Sequence, residues 1–183
     1  MQIDRVYYPV VTLGYGQRIG IWTIGCVHEC MNCSNPELWK PNPSKEVSIE
    51  RILRYIEKIP RADGITITGG DPFLQSEELL RFVIKLKEMG YSDILVYSGY
   101  TLAELKRQGD TVNQILVNIG VLVDGRYVDE LNDNKSFRGS SNQKIIVLNK
   151  SLEQRYIGAN NWDRKTQIVM NDNNIQAIGL PVK

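Results

Sequence analysis

The chain alternates short apolar runs with segments of helical hydrophobic spacing. Runs rich in branched residues predict strands at Ile19–Ile24, Gly64–Thr68, Asp93–Ser98, Ile119–Asp124 and Lys144–Leu148. Helical spacing and capping residues between these runs predict helices at Ser48–Ile59, Ser76–Met89 and from the capping box Thr101–Glu104. This alternation is typical of βα units that build a parallel sheet.

The end of the chain departs from this alternation. Gln167–Met170 and Ile175–Ile178 are strand-like, and they flank Asn171-Asp172-Asn173-Asn174, which is typical of a hairpin turn. We expect one domain over residues 1–183, with residues 150–183 as a C-terminal extension that caps the sheet. Since a closed eight-unit barrel takes about 250 residues, we predict an α/β fold: an open, partial parallel barrel of about five to six βα units with a C-terminal β-hairpin.

Composition narrows the classes of partner. The residues are 42% hydrophobic and 23% charged with a net charge of +1, so neither nucleic acid nor a membrane surface is predicted as a partner. No stretch approaches the roughly 18 apolar residues of a membrane span, and the first residues lack the layout of a signal peptide. We therefore expect a cytoplasmic protein.

The candidate chemistry lies in the only three cysteines, Cys26, Cys30 and Cys33, which follow the first predicted strand. A Cys-x3-Cys-x2-Cys run without a fourth cysteine offers thiolates to three corners of a four-iron cluster. It leaves one iron without a protein ligand. Zinc and electron-transfer sites usually complete their coordination with a fourth side chain, so the missing ligand favours chemistry at the metal.

Other interpretations of the cysteines remain open at this point. They could be buried structural thiols, or zinc ligands with His28 as the fourth, although one residue between Cys26 and His28 is tighter than usual for zinc. A disulfide framework is disfavoured by the odd number of cysteines. We expect His28 to be a partly exposed loop side chain that hydrogen-bonds near the cluster. The alternative is a residue behind the ligands that adjusts the cluster's reduction potential.

A second motif, Gly69-Gly70-Asp71, follows the second predicted strand. Two glycines allow a ligand to approach the backbone closely, and Asp71 adds a negative charge, which together suit an ammonium group. The same sequence also suits an ordinary strand-to-helix turn. Because ligands of parallel sheets bind beyond the carboxyl ends of the strands, this turn, the cysteine loop and Ser98-Gly99 are expected on one face.

Gly25–Cys33 followed by Gly69–Pro72 resembles the radical S-adenosylmethionine superfamily, and more narrowly its activating enzymes for anaerobic ribonucleoside-triphosphate reductase. The similarity spans residues 5 to about 148. Further segments match in the same order: Tyr7-Tyr8-Pro9, Tyr97–Thr101, Val123–Tyr127 and Phe137–Gln143.

This resemblance implies a cofactor and a reaction. Cys26, Cys30 and Cys33 would be the metal ligands and catalytic residues that hold a [4Fe–4S] cluster, whose open iron binds the amino and carboxylate groups of S-adenosylmethionine. An electron from the cluster would cleave the sulfonium bond, and the resulting radical would take hydrogen from a backbone glycine of the reductase large subunit. A flavodoxin-type protein is the electron donor that the family implies.

The resemblance also implies which residues bind S-adenosylmethionine. The methionine ammonium would meet Gly69, Gly70 and Asp71, and the adenine would lie against Asn32, Cys33 and Ser34. Ser98 and Asp124, at later strand ends, are further candidates for the same pocket.

Two other functions remain as alternatives. One is a radical S-adenosylmethionine enzyme that modifies a peptide or a small molecule, and the other is a non-catalytic zinc-binding module. The segment Arg138–Gln143 could equally be an ordinary polar turn before the next strand, and its role stays open.

Overall fold

The sheet that carries the site has six strands in the order β1-β2-β3-β4-β5-β6, and a separate hairpin pairs β7 with β8. The structure is a computed structural model that describes residues 1–171 and 174–182. The strands are β1 Ile3–Val10, β2 Arg18–Thr23, β3 Gly64–Gly69, β4 Ile94–Tyr97, β5 Val121–Asp124, β6 Lys144–Val147, β7 Thr166–Asn171 and β8 Asn174–Gly179. The helices are α1 Ile49–Ile56, α2 Ser76–Glu88, α3 Leu102–Leu105 and α4 Asp110–Asn118.

The sheet is parallel only in its centre. β2, β3, β4 and β5 are parallel neighbours, whereas β1 and β6 pair antiparallel at the two edges. The predicted five to six parallel units are therefore an overcount. β6 runs antiparallel because the connection over residues 125–143 contains no α-helix that could carry the chain across the sheet. Within the described residues β1 and β6 do not pair, so the sheet is not closed.

The predicted helix signals are confirmed at three points. The Ser48 hydroxyl accepts a hydrogen bond from the amide of Arg51 at 3.3 Å, and Thr101 forms the capping box of α3. Gly90, with φ of +91°, follows the end of α2. Among the described residues, none of the helices combines the length and apolar character needed to cross a bilayer.

The C-terminal extension covers the face of the sheet opposite the helices. α1, α2 and α4 bury one face, whereas Leu152 and Tyr156 pack on the other face against β4, β5 and β6. Ile178 of the hairpin packs near Trp22 of β2. The predicted strands of the hairpin are confirmed; the turn residues Asp172 and Asn173 lie outside the described residues. The extension thus covers the face of the sheet that the helices leave free.

A buried ion pair ties this extension to the sheet. The guanidinium of Arg18, fully buried in β2, donates to the carboxylate of Asp93 at 3.0 Å. The Tyr156 hydroxyl of the extension donates to the same carboxylate at 2.8 Å. The guanidinium also donates to the hydroxyl of Thr66 and the carbonyl of Ile65, so the buried charge is hydrogen-bonded on several sides.

Candidate functional site

The three cysteines line one open cavity beyond the carboxyl ends of the parallel strands. β2 leads directly into their loop, and Gly69, Gly70, Asp71, Ser98 and Ser34 line the same cavity, as expected from the sequence. Including the solvent at its open mouth, the cavity measures about 800 Å³. All three thiols are free and partly buried.

The surroundings of the thiols favour a bound cation. Burial raises the pKa of Cys26, while amide donors from His28 and Glu29 partly oppose this. Burial also raises the pKa of Cys30, opposed mainly by the amide of Tyr127. A partly buried thiolate is therefore unfavourable unless a positive charge compensates it, and bound metal deprotonates thiols by supplying that charge.

An iron–sulfur cluster fits this donor set. Three thiolates with no carboxylate among them are soft ligands that select iron–sulfur clusters or zinc. Among residues 1–171 and 174–182, no group of three or more His, Cys, Asp and Glu side chains is placed to hold a single metal ion. A [4Fe–4S] cluster does not need its ligands around one ion, because each of three cysteines binds a different iron. The cavity next to the cysteines offers space for such a cluster.

His28 lies in a different environment from the one predicted. Its side chain is 2% exposed, not partly exposed, and its Nε2 lies 2.8 Å from Oδ2 of Asp71. The ring also meets Tyr100 edge to face, with centroids 4.5 Å apart. Asp71 thus gives Nε2 of the buried ring a polar partner. Nδ1 is buried without a hydrogen-bond partner among the described residues.

Asp71 has its hydrogen bonds supplied by the protein. Besides His28, its carboxylate accepts from the amide of Phe73, the hydroxyl of Ser98 and the amide of Gly99, each at 3.0 Å. Its side chain is 1% exposed. The carboxylate thus joins the cysteine loop to the ends of β3 and β4, and its negative charge lies directly beneath the cavity.

The glycines of the turn let the cysteine loop pack against it. The amide of Asp71 donates to the carbonyl of Gly25, next to Cys26, at 2.7 Å. A Cβ on Gly70 would lie 2.2 Å from that carbonyl oxygen, and Gly69 has a φ of +105°. Residues with side chains are therefore disfavoured at both positions.

Two of the predicted cofactor residues do not line the cavity. Asn32 is exposed and its amide donates to Asp129 at 3.0 Å. Asp124 is buried and accepts from the backbone amides of Leu102 at 2.7 Å and Lys144 at 3.3 Å. Both side chains therefore bind neighbouring loops, and neither is among the residues that line the cavity.

Comparison with known proteins identifies the family. A sequence family described as a 4Fe-4S single cluster domain matches residues 12–146. The anaerobic ribonucleoside-triphosphate reductase-activating protein of Escherichia coli (strain K12) is 36% identical over 152 residues, covering 78% of this chain and 96% of the relative. The chain belongs to this family of activating proteins. The Pasteurella multocida activating protein is 39% identical over 150 residues, 76% of this chain and 93% of the relative.

A more distant activating enzyme matches part of the chain. The pyruvate formate-lyase-activating enzyme of Staphylococcus aureus is 37% identical over 83 residues, which is 42% of this chain and 33% of that enzyme. The resemblance inferred from the cysteine and glycine motifs is thus confirmed at the level of the activating-protein family.

In this member of the activating-protein family, the C-terminal extension adds cavity residues that the motifs did not reveal. Arg164, Leu180 and Pro181 line the cavity, although they lie beyond the matched residues 12–146. Arg164 donates to the carbonyls of Pro181 at 2.7 Å and Arg138 at 2.6 Å. Burial lowers the pKa of its guanidinium. No sequence motif marks these residues, because they reach the site only through tertiary packing.

The packing of His28 on Gly99 gives a prediction about stability. A Cβ on Gly99 would lie 2.2 Å from the His28 ring, so Gly99→Ala is expected to destabilise the metal-free protein by about 1–3 kcal/mol. Urea unfolding under reducing conditions measures this cost. In a His28→Ala background the ring is absent, and Gly99→Ala should then cost much less. Equal costs in the two backgrounds would contradict the packing described here.

Proposed function

We propose that this chain generates the glycyl radical of an anaerobic ribonucleotide reductase by reductive cleavage of S-adenosylmethionine at a [4Fe–4S] cluster. The observation that carries the proposal is the shared cavity: Cys26, Cys30 and Cys33 line it together with Gly69-Gly70-Asp71 in a chain of the activating-protein family. A cluster bound there would supply the electron that cleaves the sulfonium bond.

The cysteines have the role of ligands in this proposal. Cys26 and Cys30 receive backbone N–H groups, which stabilise negative charge on their sulfur atoms. Only three thiolates are available in the chain. One iron of a four-iron cluster is then left to bind the amino and carboxylate groups of S-adenosylmethionine.

The turn after β3 has the role of receiving the methionine ammonium. The Asp71 carboxylate already has four protein donors. We therefore assign direct contact to backbone oxygens of the Gly69-Gly70 turn, and to Asp71 a favourable electrostatic contribution from below. The Asp71 carboxylate is buried, so its charge is screened less than in water and attracts a positive ligand group.

The walls of the cavity have the role of excluding water. A primary alkyl radical attacks whatever reaches it first, so the reaction needs an enclosed pocket. The open sheet, acting as a partial barrel, leaves its inner face accessible, and the C-terminal extension covers part of that face. The remaining opening is where a glycine-bearing loop of the reductase would enter, and a flavodoxin-type protein is the proposed electron donor.

Cluster reconstitution under anaerobic conditions tests this function. We expect about four irons per chain and, with dithionite and S-adenosylmethionine, formation of 5'-deoxyadenosine. A full cluster without this product would refute the proposed cleavage reaction. One zinc per chain without iron or sulfide would instead support a zinc-binding module.

A second measurement separates the reductase from a peptide or small-molecule target. The chain is mixed with the large subunit of an anaerobic ribonucleotide reductase, and the glycyl radical is sought by electron paramagnetic resonance. A doublet signal that requires both proteins and S-adenosylmethionine is expected. Cleavage of S-adenosylmethionine without any such signal would favour a different substrate.

A further inference from the structure

The segment Arg138–Gln143 packs against the loop Gly125–Asp129, which in turn lies against the cysteine loop. Gly125 and Tyr127 line the cavity with Gly139 and Gln143. The contact is close, since a Cβ on Gly139 would lie 2.7 Å from the ring of Tyr127. Two segments that follow β5 thus form one side of the site.

Three side chains of the first segment bind the backbone of the second. The Gln143 amide donates to the carbonyl of Gly125 at 2.7 Å, and the Asn142 amide donates to the carbonyl of Arg126 at 2.9 Å. The hydroxyl of Ser140 accepts from the amide of Val128 at 3.1 Å. These bonds lie on both sides of Tyr127 and fix its peptide groups.

The loop that is held in this way contacts the cysteine loop at two places. Tyr127 and Cys30 line the same cavity, and the backbone N–H of Tyr127 favours negative charge on the Cys30 sulfur. One residue after Val128, the carboxylate of Asp129 accepts from the Asn32 side chain at 3.0 Å. The Gly125–Asp129 loop therefore connects the Arg138–Gln143 segment to a proposed cluster ligand.

We propose that Ser140, Asn142 and Gln143 are positioning residues that hold the Tyr127 amide on the sulfur of Cys30 and thereby raise the reduction potential of the bound cluster. This inference rests on the proposed function, because it requires a cluster at Cys30. Reduction adds negative charge to a cluster, and a hydrogen bond to a ligand sulfur stabilises that charge. A loosened Tyr127 amide would favour the oxidised form.

Two small substitutions test the proposal on the reconstituted protein. Ser140→Ala removes one hydroxyl, and Asn142→Ala removes an exposed amide, so neither leaves a large cavity. The matched control is Asn118→Ala in α4, whose amide also donates to a backbone carbonyl, that of Gln114 at 2.8 Å. Iron content is measured first, followed by the reduction potential in a titration monitored by electron paramagnetic resonance.

Both variants are expected to keep wild-type iron content and to shift the potential downward. At a fixed solution potential the ratio of reduced to oxidised cluster should fall about threefold, equivalent to about 28 mV at 59 mV per tenfold for one electron. Asn118→Ala should leave the ratio unchanged. Unchanged potentials in Ser140→Ala and Asn142→Ala would overturn the positioning role, even if the wild type cleaves S-adenosylmethionine. A wild type that assembles no cluster would instead refute the proposed function.

Discussion

Replacing any one of Cys26, Cys30 and Cys33 by alanine is expected to abolish the formation of 5'-deoxyadenosine. Each variant has only two thiolates left, because the chain contains no other cysteine. A four-iron cluster held by two residues loses iron readily and exposes a second iron to solvent. Iron and sulfide analysis, together with product detection by liquid chromatography after reduction with dithionite, measures both consequences.

The control for this prediction lies in the same loop. Met31 is 73% exposed between Cys30 and Cys33, so Met31→Ala changes the loop without removing a ligand. This variant should retain iron content and cleavage activity in the absence of a reductase. If Cys33→Ala kept wild-type iron and product, the assignment of the three cysteines as ligands would be wrong.

Gly70→Ala is expected to have the second largest effect. The new methyl group would lie 2.2 Å from the carbonyl oxygen of Gly25, and this neighbour is backbone that cannot rotate away. Relief of the clash must move the chain next to Cys26. We expect a stability loss of about 3 kcal/mol or more in the metal-free protein, and a roughly 100-fold slower cleavage of S-adenosylmethionine where cluster is still bound.

Gly90→Ala is the control for Gly70→Ala. Gly90 has a φ of +91°, and a Cβ added there would meet no atom of the described residues within 4 Å. Alanine at this position therefore adds backbone strain of about 1 kcal/mol without a clash. Urea unfolding compares the two variants, and cleavage assays on reconstituted protein should show near wild-type rates for Gly90→Ala alone. Similar stability and activity for both variants would show that the cysteine loop does not depend on close packing at Gly70.

The fold was predictable where burial determines the sequence. β2 to β6 begin and end within about two residues of the predicted runs, because buried strands require branched apolar residues. The edge strand β1 was missed, since Asp4, Arg5 and Pro9 interrupt its apolar pattern. α4 was missed because Gly109 provides no capping side chain. The direction of β6 depends on the path of its connection, which local pattern does not encode.

The candidate site was predictable where side chains define its chemistry. The cysteine and glycine motifs converge on one cavity, because strand order brings their loops to the same edge. The contribution of Tyr127 is a backbone amide, and every residue except proline has one, so no residue type marks it. The burial of His28 and the placement of Asn32 and Asp124 depend on partners far away in sequence.

The proposed cluster ligands and one wall of the cavity come from different parts of the chain. The cysteines and the glycine turn lie within the residues shared with the cluster-domain family, whereas Leu180 and Pro181 lie after them. The shape of the cavity can therefore change through substitutions near the C-terminus while the three cysteines stay in place. Grafting this C-terminal segment onto a shorter relative would transfer this wall of the cavity without adding a cysteine.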